Sequence, residues 1–315
     1  MKVYIKCPPR LVTGGPEFLH QVCAGLRDNG IDAYIFYENE FSPNPQAACY
    51  TTRYNNPYVT SIPDTPAAAL IVPEIYVSSL FNTRYKKFKK LILWESVNFY
   101  LTQVPVFLLN IFPENTIHLY QSQYAKDFLT FARVPEKDQI PITDYISEEF
   151  LNIQNIQIDD SKKENLISFY VPKGNEFTLV VLQHLKKKYN YQFLPLENYS
   201  TEELINIFTR SKVFLDFGYF PGKNRMYREA STCRNIIFTS PFGAARDKRD
   251  VNIKDKYKIF PNDDNIIVAE NRIKECIENF DKYIIDFDEL REEVFKEKEV
   301  FDKNIKVLAD RLREE

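Results

Sequence analysis

Three cations lie close together in the second half of the sequence, at Lys223, Arg225 and Arg228. The residues from Met226 onward predict a short helix, whose first turn would offer unpaired backbone N–H groups and the positive end of a dipole. Cations at such a place are unfavourable unless an anion lies among them, so the stretch predicts an anion site with phosphate as its ligand. A solvated basic loop is the alternative interpretation, and the residues alone leave both open.

The residues around these cations predict a βαβ unit. A short apolar run at 213–217 is typical of a buried strand, and 218–224 is a loop that contains Pro-Gly. A helix at 226–233 and a second buried strand at 236–239 follow. Two parallel strands joined by a helix belong to a sheet with helices on its faces, and such sheets bind ligands at the carboxyl ends of their strands. The cations are predicted to lie at that edge.

A second loop of this kind lies near the start of the sequence. Thr13-Gly14-Gly15 connects a predicted strand at 2–7 to a helix, and a strand at 31–37 follows. Pro16 suits the first turn of a helix, and glycine lets a ligand approach the backbone closely. The spacing is not G-x-G-x-x-G, so NAD is not indicated.

Carboxylates follow two further predicted strands. Glu74 and Glu95 each come after an apolar run, so both are expected at the carboxyl edge of a sheet, where they would bind ligand hydroxyls. Capping of a helix is the alternative for each. His20 lies one turn into the helix that follows Gly15 and could face a ligand, although a core or surface position is the commoner one for a histidine.

The composition restricts the class of protein. The chain has 315 residues and a net charge of −3, which disfavours nucleic acid as a partner. Five cysteines without a C-x-x-C pair predict reduced thiols and a cytoplasmic protein. The first predicted strand begins at once, so no signal peptide is expected. The apolar run at 99–112 is too short to span a bilayer and predicts a buried segment, with contact to a membrane surface as the alternative.

The polar stretch at 153–164 lacks periodicity and predicts a linker. We therefore expect an N-terminal Rossmann-like domain at 1–152, a second one at 165–270 and a helical segment at 271–315. The predicted fold class is α/β, with two doubly wound domains facing across a cleft and with C-terminal helices. Three finer predictions are a surface loop at 42–66, a last strand at 257–260 and a long helix at 287–315.

Three segments carry a resemblance to a known family. They read TGGPEFLHQVCAGLRDNGIDAYIFY at 13–37, HLYQSQYAKDFL at 118–129 and FLDFGYFPGKNRMYREAS at 214–231. In these segments the chain resembles glycosyltransferases of the GT-B fold, similar to the bacterial enzymes that build capsules and O-antigens. The resemblance implies a nucleotide-sugar donor on the second domain, a glycan or lipid-linked acceptor, and a cytoplasmic enzyme, with peripheral attachment to the inner membrane as an option. It implies no cofactor and no metal.

The resemblance also implies roles for individual residues. Lys223 and Arg225 would hold the diphosphate of the donor, and Gly222 is a further donor-binding residue. Glu229 matches the second Glu of the Glu-x7-Glu motif of many retaining members, in which it usually contacts the donor ribose. Pro221 stands where the first Glu is expected, so the stereochemical outcome stays open.

The remaining candidates divide between donor, chemistry and acceptor. The donor candidates are Glu197, Gly14 and Gly15. The candidates for the chemistry are Glu17, Glu95 and Lys223, and the acceptor candidates are Glu74 and His20. A GT-B-like nucleotide-sugar epimerase and a non-catalytic partner subunit are the alternative functions. The oligomeric state, the nucleotide base and the sugar also stay open. The basic run at 84–90 is interpreted as a solvated face, with anionic lipid or an acidic glycan as the alternative ligand.

Overall fold

The computed structural model describes residues 1–40, 43–63, 68–171 and 175–314. The chain forms two units. The first contains Met1–Tyr145 together with the C-terminal residues from Lys298 onward, and the second contains Ile146–Glu297. The sequence placed the domain boundaries at 152, 165 and 270, whereas the structure divides the chain after Tyr145 and again after Glu297.

The first unit is built on a parallel sheet of seven strands in the order β3-β2-β1-β4-β5-β6-β7. The strands are β1 (Lys2–Lys6), β2 (Asp32–Phe36), β3 (Tyr58–Val59), β4 (Ala68–Pro73), β5 (Lys89–Trp94), β6 (Ile117–Tyr120) and β7 (Gln139–Pro141). All six residues of β4 are buried, because a parallel sheet is covered on both faces. The strand order reverses between β1 and β4, and the crevice at such a reversal is where these sheets bind ligands.

Five helices accompany this sheet. They are α1 (Gly14–Asp28), α2 (Ala48–Tyr54), α3 (Val97–Gln103), α4 (Gln123–Phe131) and, at the end of the chain, α12 (Glu297–Arg313). Helix α12 approaches α1 at Gly25, where a Cβ atom would lie 3.1 Å from the side chains of Phe301 and Ile305. The absence of a side chain at Gly25 therefore lets the last helix pack against the first.

The second unit has a parallel sheet of four strands in the order β11-β10-β8-β9. The strands are β8 (Glu164–Tyr170), β9 (Gln192–Leu196), β10 (Ser211–Asp216) and β11 (Ile236–Thr239). The helices are α5 (Glu148–Leu151), α6 (Glu176–Lys188), α7 (Thr201–Arg210), α8 (Met226–Thr232), α9 (Ile266–Glu278), α10 (Phe280–Ile284) and α11 (Asp288–Phe295). Here the order reverses between β8 and β10, so the loop after β10 lies at the ligand-binding crevice of this sheet.

The predicted fold class is confirmed as α/β with two parallel sheets and C-terminal helices. The strand predicted at 257–260 is wrong: a 3-10 turn at Asp255–Tyr257 is followed by a single bridge between Thr239 and Lys258. The helix predicted at 287–315 is interrupted at Lys296, where α11 ends and α12 begins.

Two segments differ from their predicted environment. The predicted loop at 42–66 contains α2 and β3 within its described residues. The apolar run at 99–112, predicted to be buried, exposes several large side chains, among them Phe99, Val106 and Phe107. No helix in the described part of the chain combines the length and the apolar character needed to cross a bilayer.

Candidate functional site

The first unit gathers carboxylates at the carboxyl edge of its sheet. Glu74 follows β4 and is buried, and its two oxygens accept the backbone N–H groups of Glu95 and Ser96 at 3.0 and 3.1 Å. These N–H groups precede α3, so Glu74 binds the start of the helix that follows the neighbouring strand. Burial raises the pKa of Glu74 to about 7, against the lowering effect of the backbone hydrogen bonds.

Glu95 lies beside this carboxylate in a different environment. Its Oε1 atom is buried and accepts no hydrogen bond from the described residues. Its Oε2 atom lies 2.5 Å from the position that a Cβ atom on Gly15 would occupy. Burial, and then the charges of Glu74 and Asp144, raise the pKa of Glu95 well above its ordinary value. The structure therefore places a buried carboxyl of raised pKa at the beginning of α1.

Glu17 lies on α1 and pairs with α2. Its Oε1 atom accepts hydrogen bonds from Nη1 of Arg53 at 3.0 Å and from the hydroxyl of Tyr54 at 2.9 Å. The predicted surface loop thus supplies two partners of a predicted site residue. No pattern in the Pro-rich and Asn-rich stretch at 42–66 indicated this contact.

His20 is fully buried and stacks on Tyr50 with a centroid distance of 4.6 Å. Its ring nitrogens contact the hydroxyl of Tyr37 at 3.1 Å and the amide of Asn56 at 3.3 Å. Burial lowers the pKa of His20 to about 4, so the ring is neutral at physiological pH. This is the core position that the sequence left open for His20, and a ring enclosed in this way does not contact an acceptor.

In the second unit, the loop after β10 is held by the strand ends around it. Asp216, the last residue of β10, accepts the backbone N–H of Gly218 at 3.1 Å. The side-chain amide of Asn175 donates to the carbonyl of Phe217 at 2.8 Å, and the hydroxyl of Ser240 donates to the carbonyl of Gly218. Sequence reasoning missed these three polar residues, although each lies at the end of a strand or the start of a helix.

The cations that follow this loop have an internal counterion. Glu297 accepts Nζ of Lys223 at 3.2 Å with one oxygen and Nη1 of Arg228 at 2.8 Å with the other. Arg228 is fully buried and also donates to the carbonyls of Lys223 and Asn224 at 3.3 and 3.0 Å. Glu297 therefore supplies a negative charge to Lys223 and Arg228 from within the chain, and Arg228 fixes the loop.

The other donor-side candidates fall into two groups. Arg225 and Glu229 lie 4.0 Å apart at the start of α8, and both side chains are largely buried. Gly222 is buried in the same loop. Glu197 follows β9 and is exposed, and no hydrogen bond or ion pair joins it to these residues in the part of the chain that the structure describes. The structure thus gathers Gly222, Lys223, Arg225 and Glu229 and leaves Glu197 apart.

No protein-family model and no curated protein matches this sequence. Solved structures match over almost the whole chain. A sucrose-phosphate synthase from Thermosynechococcus elongatus is 14% identical, with a TM-score of 0.61 over 99% of this chain and 98% of that one. HepE of Anabaena in complex with UDP-glucose is 12% identical, with a TM-score of 0.63 over 98% and 100% of the two chains. An α-glucosyltransferase in complex with UDP is 11% identical, with a TM-score of 0.54 over 96% and 99%.

These solved structures are glycosyltransferases of the GT-B fold, which consists of two Rossmann-like domains. The likeness shows that the two units of this chain have the GT-B fold, as the sequence predicted. At this level of identity it shows the fold alone, because one fold carries many functions and function resides in the site.

Proposed function

We propose that this protein is a glycosyltransferase that moves a sugar from a nucleoside-diphosphate donor to a glycan or lipid-linked acceptor. The observation that carries the proposal is the loop after β10, where Lys223 and Arg225 lie at the point of strand reversal in a chain of the GT-B fold. Glu229 lies within 4.0 Å of Arg225 on the helix that follows. HepE was solved with UDP-glucose and the α-glucosyltransferase with UDP, which supports a donor of this class.

Lys223 and Arg225 bind the diphosphate in this proposal. Departure of a nucleoside diphosphate places negative charge on its β-phosphate, and fixed cations stabilise that charge without a metal. Lys223 exchanges Glu297 for the phosphate, while Arg228 keeps Glu297 and holds the loop in place. Gly222 places no side chain between the loop backbone and the donor, and Glu229 binds the ribose.

The first unit supplies the acceptor chemistry in this proposal. Glu95 is the acid–base group, because it is buried with a raised pKa and its Oε1 atom has no hydrogen-bond partner among the described residues. Gly15 leaves room for its carboxyl, and Glu17 and Glu74 hold the surrounding elements. His20 has a packing role. The proposal does not depend on whether the enzyme retains or inverts configuration, since Pro221 leaves that choice open.

We further propose that the acceptor is an intermediate of a bacterial surface polysaccharide, such as a capsule or O-antigen, and that the protein works at the cytoplasmic face of the inner membrane. The support is the resemblance of the segments at 13–37, 118–129 and 214–231. Glu197, exposed after β9, is proposed to contact the donor only when the donor is bound.

Thermal unfolding with UDP, ADP, GDP, CDP and TDP tests the donor site. A nucleotide at about 100 times its Kd stabilises the chain by about 2.7 kcal/mol. We expect one of the five to do so with the wild type, and we expect Lys223→Ala to abolish the shift. Lys187→Ala, which changes an exposed lysine of the same unit, is the matched control and should keep it. No shift with any nucleotide would contradict the proposal.

A turnover assay with the sugar donor of that nucleotide separates enzyme from binding subunit. We expect release of the nucleoside diphosphate that requires an acceptor and is lost in Glu95→Gln. Binding without turnover would favour the non-catalytic alternative, and conversion of the donor sugar without release of nucleotide would favour the epimerase.

A further inference from the structure

The first unit exposes an uncharged segment of its chain. Residues 96–113, here called the apolar segment, contain no Asp, Glu, Lys or Arg. They comprise α3 and a 3-10 turn at Val106–Leu108. Val106 is 84% exposed and Phe107 is 77% exposed. Side chains of this size are normally buried, so their exposure at adjacent positions marks an interaction surface.

The other face of the apolar segment is fixed to the core. Tyr100 is buried and packs edge-on against Trp94 with a centroid distance of 5.0 Å, and its hydroxyl donates to the carbonyl of Leu109 at 3.3 Å. Phe112 packs against Trp94 at 5.9 Å. The exposed side chains are therefore presented by an anchored backbone.

A cationic cavity lies where the strands of the same sheet begin. Its volume is about 730 Å³, and its lining includes five cations and one carboxylate: Lys86, Lys87, Lys89, Lys90, Arg313 and Glu114. The carboxylates of the candidate site lie at the opposite, carboxyl edge of the sheet. The cavity is thus a separate feature from that site.

The apolar segment leads directly to this cavity. It ends at Pro113, and the next two residues, Glu114 and Asn115, line the cavity wall. Strand β6 then begins beside β5, whose first residue Lys89 also lines the cavity. The end of the uncharged surface and the lysines therefore share one edge of the first unit.

We propose that the apolar segment and the cationic edge at which it ends together form a docking surface for an anionic lipid bilayer. Val106 and Phe107 insert among the lipids at the level of the headgroups, and Lys86, Lys87 and Lys90 bind headgroup phosphates. The chain carries a net charge of −3, so an anionic surface attracts it only where cations are concentrated. This inference deepens the proposed location at the membrane, and vesicle binding requires no nucleotide, so each proposal can fail without the other.

Co-sedimentation with vesicles tests the inference. We expect the wild type to bind vesicles of phosphatidylglycerol and phosphatidylethanolamine and to remain in solution with phosphatidylcholine alone. The double variant Val106→Ser/Phe107→Ser and the double variant Lys86→Glu/Lys87→Glu should each weaken binding by about tenfold or more. Leu179→Ser and Lys187→Glu change an exposed apolar residue and an exposed lysine of the second unit and should bind as the wild type does.

Three results would overturn the inference. They are a wild type that stays in solution with every vesicle, equal binding to neutral and anionic vesicles, and unchanged binding by both double variants. Light scattering after size exclusion tests the alternative that a second copy of the chain binds this surface. A dimer that Val106→Ser/Phe107→Ser converts to a monomer would assign the surface to self-association. Because the substituted side chains are exposed, the melting temperature should stay that of the wild type.

Discussion

A Cβ atom on Gly15 would lie 2.5 Å from Oε2 of Glu95. Real Cβ atoms do not approach an oxygen so closely, so the carboxyl reaches the start of α1 only because residue 15 has no side chain. Gly15 thus makes room for a carboxyl of its own chain, that of Glu95. The sequence had predicted that these glycines make room for a ligand, and the structure adds Glu95 as an occupant of that room.

We expect Gly15→Ala to reduce turnover much more than stability. The Glu95 side chain can swing away from a new methyl group, and alanine favours a helix over glycine by about 1 kcal/mol, which offsets the displacement. A misplacement of about 1 Å at a reacting group costs about 100-fold in rate. Parallel measurements of melting temperature and of turnover check this, and full turnover by Gly15→Ala would exclude a role for the position of Glu95.

The raised pKa of Glu95 predicts that the stability of the fold depends on pH. A carboxyl whose pKa is higher in the folded state binds its proton more tightly there, so its contribution to stability is present at low pH and is lost as the pH rises through the folded pKa. Glu95→Gln keeps the shape and removes the titration. We expect the variant to equal the wild type near about pH 4, below the ordinary pKa of a glutamate, and to be more stable near about pH 8.

Thermal unfolding at both pH values measures this difference. Glu197→Gln is the control, because Glu197 is exposed and its substitution should leave the wild-type pH dependence unchanged. If Glu95→Gln and the wild type lose stability in parallel between the two pH values, the carboxyl does not hold its proton in the folded state.

The pair formed by Arg228 and Glu297 predicts a large effect on stability. Glu297→Gln removes the carboxylate from a fully buried guanidinium, and breaking one side of a buried ion pair costs about 3–5 kcal/mol. Glu299→Gln changes an exposed glutamate on the same helix and should cost less than about 0.5 kcal/mol. Urea denaturation of the two variants gives the comparison, and equal midpoints would mean that the pair contributes nothing to stability.

Gly243 and Gly30 form a matched pair for a prediction about backbone conformation. Both have positive φ, at +61° and +75°, a backbone conformation that alanine rarely adopts. A Cβ atom on Gly243 would also lie 1.9 Å from the carbonyl oxygen of Phe220, whereas the nearest atom at Gly30 is 3.8 Å away. We expect Gly243→Ala to lower the melting temperature well beyond Gly30→Ala and to abolish nucleotide binding, because the loop after β10 must move. A similar decrease of the melting temperature in both variants would contradict this prediction.

The sequence predicted the strands well because a strand of a covered parallel sheet reads as a continuous apolar run, as Ala68–Pro73 does. It failed where a structure depends on residues far apart in the chain. Lys223 and Glu297 are 74 residues apart, and Arg53 and Glu17 are 36 apart, so no local pattern connects them. The positions of Lys223, Arg225 and Glu229 near one another followed from the βαβ pattern, whereas their roles in binding a donor remain predictions.

The contact of α12 with α1 determines when the first unit can complete its fold during synthesis. A ribosome produces α1 before α12, with all of Ile146–Glu297 in between. The surface of α1 around Gly25 stays uncovered during that whole interval, while the second unit can already complete its own core. The first unit is thus completed only after the second has been synthesised, and until then the chain carries an apolar surface that chaperones and proteases can recognise.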